Sequence, residues 1–226
     1  SISDFASLRL CVSRSDAATL DRYKRHEYPH AMKRLALTFL WLISPLLHLS
    51  ITSLACAEPE SIDLKALAKK ARPAVVLLVV SDATGKEIAT GTGFFVSADG
   101  KLITNHHVIE GGASVVAKAE NGGKFEVEGV LASDPKNDLV LLKAKGKDLP
   151  FLTLGKSDNI EVGTRIAVIG SPLGLEGTLS EGIVSAAREL VPGCSLMQIT
   201  AAVSPGSSGS PVMDRSSLVV GVVTAT

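Results

Sequence analysis

From Ala74 onward the sequence breaks into short apolar runs, none long enough or periodic enough for a substantial helix. They read "AVVLLVV", "GTGFFVS", "KLITNHH", "SVVAKAE", "KFEVEGVLAS", "DLVLLKA", "RIAVIGS", "TLSEGIVSA", "LMQITAAV", "SPVMD" and "LVVGVVTAT". Each is set off by Gly, Asp, Asn, Ser or Pro, and aliphatic runs punctuated in this way mark strands. "SADGK" places Asp-Gly between two such runs, a hairpin signal. The pattern predicts an all-β sandwich or barrel and excludes an alternating βαβ sheet. Aromatic residues make up only 4% of the chain, so small aliphatic side chains must fill the core. Ahead of the runs, "SIDLKALAKKARP" sets Leu64, Leu67 and Ala68 on one helical face, with Pro73 ending the helix.

The first part of the chain has another character. "MKRLALTFLWLISPLLHLSITSLACA" spans Met32 to Ala57, with Lys33 and Arg34 followed by an apolar stretch and by Ala55 and Ala57 around Cys56. That order predicts a secretory signal peptide over 32–57 with an A-x-A cleavage site. Pro45 and His48 interrupt the apolar stretch, which favours a cleaved signal over a membrane-spanning helix. Ser53 stands where lipidated cysteines usually have leucine, which favours cleavage over lipid attachment at Cys56. Residues 1–31 carry mixed charge without periodicity and are expected to be an untranslated or disordered extension. The remaining boundaries fall at 58–72 for a short helix or linker, 73–147 for a first β unit, and 148–226 for a second. "KGKDLPF" is the best candidate for the link between the two β units.

Charge and cysteine content narrow the class. The whole chain is formally neutral, with 23 basic and 23 acidic residues, so there is no cationic excess to neutralise phosphates, which argues against nucleic acid as a partner. Residues 58–226 hold sixteen of the basic and nineteen of the acidic residues, a mildly acidic exported portion. Its one cysteine, Cys194, has no partner for an internal disulfide and no metal-ligand spacing around it. No metal or other cofactor is expected. "VIGSPLGLEG" lacks the G-x-G-x-x-G spacing of a dinucleotide-binding turn, and no helix follows it.

"VSPGSSGSPV", Val203 to Val212, concentrates serines in a glycine-framed loop. Serine is a weak nucleophile unless a base takes its proton and a third group orients the base. "LITNHHVIEGG" supplies His106 and His107 just after a β run, and "SDPKNDLVLLK" supplies Asp134 and Asp138. Asp138 opens an apolar strand, where an unpaired carboxylate is costly and an imidazolium would be a suitable partner. The chain order is then His, Asp, Ser. An α/β-hydrolase reading fails, because position 210 is serine where Gly-x-Ser-x-Gly needs glycine, and no helix follows.

In this order the segments "GTGFFVSADGKLITNHHVIEGG", "DPKNDLVLLK", "GSPLGLEGTLSEGIVSA" and "SPGSSGSPV" resemble the chymotrypsin-like serine proteases. Within these they are most similar to the bacterial trypsin-like peptidases of the HtrA/Deg group. The resemblance covers nearly all of residues 72–226. It implies two six-stranded antiparallel β-barrels with the active site between them, the second incomplete at Thr226. It selects His107, which follows Thr104-Asn105-His106, and Asp138, which directly precedes "LVLL", leaving Asp134 as a turn residue. It selects Ser208 within Gly206-Ser207-Ser208-Gly209. The family chemistry implied is a serine endopeptidase of exported or misfolded proteins, with Ser208 as nucleophile, His107 as proton shuttle and Asp138 orienting His107. The N–H groups of Gly206 and Ser208 would form the oxyanion hole.

Three departures accompany the resemblance. Ser210 replaces a common glycine, Thr200 stands where the group often has an acidic residue, and Ser204-Pro205 stand where it often has Asn-Arg. By family position Ala202 forms the floor of the primary specificity pocket, and its neutral side chain implies small or medium apolar residues in the substrate. Polypeptides are the expected partners, with no stable membrane insertion after signal removal. The resemblance does not fix an oligomeric state. The alternative from another class is a catalytically weak protease-fold module that captures extended peptide by strand addition.

Overall fold

The structure, a computed structural model, describes residues 9–12, 62–171, 177–191 and 194–224. The expected signal peptide at 32–57 lies outside the described residues, as do Thr226 and the segment "PLGLE".

Strand β1 (Arg9–Val12) is followed by helix α1 (Leu64–Ala71). The Asp63 carboxylate caps α1 by accepting from the amides of Lys65 and Ala66 at 3.1 and 3.0 Å, which satisfies N–H groups that have no partner inside the helix. Lys69 and Lys70 lie in its last turn, where cations suit the helix dipole. Leu67 and Ala71 are buried, and Pro73 sits in the single 3-10 turn that ends the helical stretch.

Six strands then form a closed barrel: β2 (Val75–Ser81), β3 (Glu87–Phe95), β4 (Lys101–Asn105), β5 (Ser114–Ala119), β6 (Lys124–Asp134) and β7 (Leu139–Ala144). The barrel order is β2-β3-β4-β7-β6-β5, and every pairing is antiparallel. The "SADGK" turn closes the β3–β4 hairpin. Gly100 holds φ +92° there, and a Cβ on it would lie 2.3 Å from the Ala144 carbonyl oxygen, so both conformation and space require glycine.

The second sheet contains β8 (Thr153–Leu154), β9 (Arg165–Gly170), β10 (Thr178–Val191), β11 (Cys194–Ile199), β12 (Pro211–Met213) and β13 (Leu218–Val223). Its order is β1-β11-β10-β9-β12-β13-β8, with β1 also paired to β13. Strands β9 to β13 therefore reproduce five of the six places of the first barrel, and β1 occupies the sixth. It runs parallel to both neighbours, whereas β7, in the matching place of the first barrel, is antiparallel to both of its own. This differs from the sequence expectation, which left residues 1–31 without structure. A four-residue segment is too short to display a strand period.

The eleven β runs read from the sequence each correspond to a strand; β8, only two residues long, has no sequence signal of its own. The continuous apolar character of several runs has a physical cause. In β7, Val140 and Leu142 point into the first barrel, while Leu139 and Leu141 face the layer between the barrels. In β9, Ile166 and Val168 fill the second barrel, while Ala167 and Ile169 join that shared layer. Successive side chains point to opposite faces, so strands buried on both faces read as unbroken hydrophobic runs. The shared layer also includes Phe94, Ile103, Leu152, Met213 and Val222. It packs the two barrels against each other.

Candidate active site

His107 lies on one helical turn, His106–Ile109, directly after β4. Asp138 follows the 3-10 turn Pro135–Asn137 and adopts a left-handed backbone, φ +48°, a conformation that Asp tolerates better than most residues. The local sequence builds that turn. Asp134 accepts from the Asn137 amide at 3.2 Å and from Asn137 Nδ2 at 2.6 Å, so Asp134 is spent on shaping the turn that presents Asp138. The Asp138 carbonyl accepts from Asn105 Nδ2 at 3.0 Å and from the His106 amide at 3.1 Å. The two chain segments are thereby fixed to each other before the side chains meet.

His107 and the Asp138 carboxylate meet at two points. The His107 amide donates to Asp138 Oδ1 at 2.9 Å, and His107 Nδ1 lies 2.7 Å from Asp138 Oδ2. With the carboxylate ionised, Nδ1 carries the hydrogen and Nε2 is left as the basic nitrogen. The Asp138 hydrogen bond pushes the His107 imidazole above its ordinary pKa, partly offset by burial. Burial alone would raise Asp138, but the bonds from the His107 side chain and amide, its charge, and Thr224 hold the carboxyl below its usual range. The His107 side chain is 42% exposed, so it is open to a substrate.

The sequence reading gave Thr224 no part in this site. Its Oγ1 donates to Asp138 Oδ2 at 3.1 Å. Thr224 follows β13, whose Val223 exchanges backbone bonds with the serine loop: the Gly209 amide donates to Val223 O, and the Val223 amide to Ser210 O, both at 2.9 Å. The loop carrying Ser208 is thus anchored one residue from a direct ligand of Asp138. No local spacing could reveal Thr224, because its partner lies 86 residues away in sequence.

The serines of the loop separate physically. Ser207 Oγ accepts from the Ser204 amide at 3.2 Å, and the Ser207 amide donates back to Ser204 O at 2.9 Å, so its hydroxyl is committed to the turn. Ser210 is fully buried, and its Oγ has no hydrogen-bond partner. It occupies the space a Cβ would need on Gly170, 2.3 Å away. Ser208 is largely buried, and its carbonyl accepts from the Thr92 amide at 2.8 Å. Gly206 and Gly209 both have positive φ, +90° and +89°. A Cβ on Gly209 would sit 1.9 Å from the Thr92 carbonyl oxygen, so only glycine can follow Ser208 in this packing.

Ala202 is exposed and its carbonyl accepts from Ser180 Oγ at 2.8 Å. Thr200 Oγ1 accepts from the Ile183 amide at 2.9 Å, so the segment leading into the loop is stitched to β10. Among the described residues, no group of three or more His, Cys, Asp or Glu is placed to hold a metal ion. Among them, too, no helix is long and apolar enough to cross a membrane.

Two β-barrels with a paired His and Asp on one and a glycine-framed serine loop on the other define the class of chymotrypsin-like folds. The family model for the trypsin-like peptidase domain matches residues 91–222, and the chain belongs to that family. A probable periplasmic serine endoprotease, DegP-like, of Chlamydia muridarum is 38% identical over 144 residues, covering 62% of this chain and 29% of that protein. A protein of the same description from Ectopseudomonas mendocina is 38% identical over 135 residues, 58% of this chain and 28% of its own. This chain thus spans less than a third of the length of these relatives. Among solved structures, the HtrA-type protease AlgW with tripeptide is 32% identical with a TM-score of 0.60, covering 70% of this chain and 52% of that one. The serine endoprotease from Yersinia pestis is 26% identical with a TM-score of 0.62, covering 73% and 57%.

Proposed function

We propose that this chain is a serine endopeptidase that hydrolyses peptide bonds through Ser208, His107 and Asp138. The observation that carries the reading is the two-point contact of the Asp138 carboxylate with His107, which orients the imidazole and leaves Nε2 as its basic nitrogen. Ser208 Oγ attacks the scissile carbonyl carbon while His107 Nε2 takes its proton. The tetrahedral intermediate collapses, the amine leaves with that proton, and an acyl group remains on Ser208. Water then attacks the acyl carbon, again giving a proton to His107, and Ser208 is released with its hydrogen restored. Asp138 holds Nδ1–H throughout and stabilises the imidazolium. The amides of Gly206 and Ser208 receive the oxyanion, each contributing about 3 kcal/mol to the transition state.

Ala202 at the pocket floor places no charge there, which fits small or medium apolar side chains in the substrate. The relatives are named periplasmic endoproteases, and together with the signal expected at 32–57 this supports action on exported or misfolded polypeptides outside the cytoplasm. Casein digestion tests the reading. The chain should cleave fluorescein-labelled casein, and Ser208→Ala should abolish cleavage while Ser207→Ala retains it. Binding of extended peptide with no cleavage by the unaltered chain would assign the fold to peptide capture instead.

A further inference from the structure

We infer that Thr92, on β3 of the first barrel, is a positioning residue for the nucleophile loop of the second. The inference rests on the reading of Ser208 and Gly206 given above. Thr92 is fully buried and reaches the loop through two different groups. Its amide donates to Ser208 O at 2.8 Å, and its Oγ1 donates to Gly206 O, also at 2.8 Å. The same Oγ1 accepts from the Ser171 amide at 3.1 Å. One residue therefore grips two carbonyls on either side of Ser207, in peptide units that adjoin those of the proposed oxyanion donors, the Gly206 and Ser208 amides.

The glycines make this grip consequential. Gly206 has φ +90° and no side chain, so nothing of its own restricts the orientation of its peptide units. The Thr92 hydroxyl supplies the restraint by fixing the Gly206 carbonyl. Thr92 itself is held from behind, since Thr104 Oγ1 donates to Thr92 O at 2.7 Å. The chain of contacts runs from the rigid wall of the closed barrel to the reacting loop. Removing only the hydroxyl leaves the Gly206 carbonyl and the Ser171 amide without it, while the amide bond to Ser208 survives. Ser208 should remain in place and the oxyanion donors should lose their alignment, a defect in the transition state more than in binding.

The test uses fluorophosphonate inactivation of the full 226-residue chain, which separates reversible association (KI) from the chemical step (kinact). Thr92→Val should lower kinact by about 10–100-fold with KI unchanged, and Thr92→Ser, which keeps the hydroxyl, should retain most of the rate. Ile103→Val, a buried change in the layer between the barrels, should lower Tm and leave kinact alone. Thr92→Ala provides a second hydroxyl deletion, with folding followed by near-UV circular dichroism. A wild-type kinact in folded Thr92→Val would overturn the inference and leave the Ser208 reading intact. Failure of both Thr92→Val and Thr92→Ala to fold would assign the hydroxyl to stability and overturn it equally. If the unaltered chain is not labelled, the Ser208 reading fails and takes this inference with it.

Discussion

The two barrels share a strand plan but not a way of completing it. The first closes with six consecutive strands, all antiparallel. The second sets β9 to β13 in the same places and receives β1, four residues long and parallel to both neighbours, as its sixth member. His107 and Asp138 sit on the closed barrel, and Ser208 sits on the other. The serine loop nevertheless takes two of its backbone restraints from the closed barrel, through Thr92. The difference teaches that the better-closed unit can dictate geometry across the seam, so the serine loop does not depend solely on its own barrel.

The largest expected effect lies on the closed barrel. His107→Ala should reduce casein cleavage by about 10⁶-fold, while His106→Ala should change it little, measured with labelled casein under identical conditions. Equal losses would break the assignment of roles to the two barrels. The next effect is at the contact between them. Gly209→Ala places a Cβ against the Thr92 carbonyl and should cost about 100-fold in activity, with far-UV circular dichroism unchanged.

A smaller effect is expected in the pH dependence. In the proposed mechanism His107 must be neutral to accept the Ser208 proton, and Asp138 raises its pKa above the ordinary 6.5. The rate should therefore rise with pH through a midpoint above 6.5, the ordinary value. In Asp138→Asn, the residual rate should show a midpoint shifted down, because the carboxylate that favours imidazolium is gone. A midpoint unmoved by this substitution would contradict the His107–Asp138 coupling.

The smallest effect concerns the sixth place of the second barrel. Deleting residues 1–31 should speed amide exchange in β11 and β13, where they pair with β1, and leave exchange in β2 to β7 unchanged. Equal acceleration in both barrels would show that they are not separable in this way.

Much of this organisation was legible because the informative signals are local. Strand runs and the Asp-Gly hairpin depend on immediate neighbours; the choice of Asp138 over Asp134 rests on the family resemblance, and Asp134 shapes the turn that presents Asp138. Thr92 and Thr224 were not legible. Their partners lie 114 and 86 residues away, and a threonine ending or interrupting an apolar run looks like ordinary strand composition. β1 was missed for a different reason: four residues are too few to show a strand period, and its partners β11 and β13 lie far along the chain.

The most direct measurement is to locate the adduct after fluorophosphonate treatment of the chain, by peptide mapping with tandem mass spectrometry. The account predicts one modified residue, Ser208, and no modification in His107→Ala. Modification at Ser207 or Ser210 in the unaltered chain would contradict it.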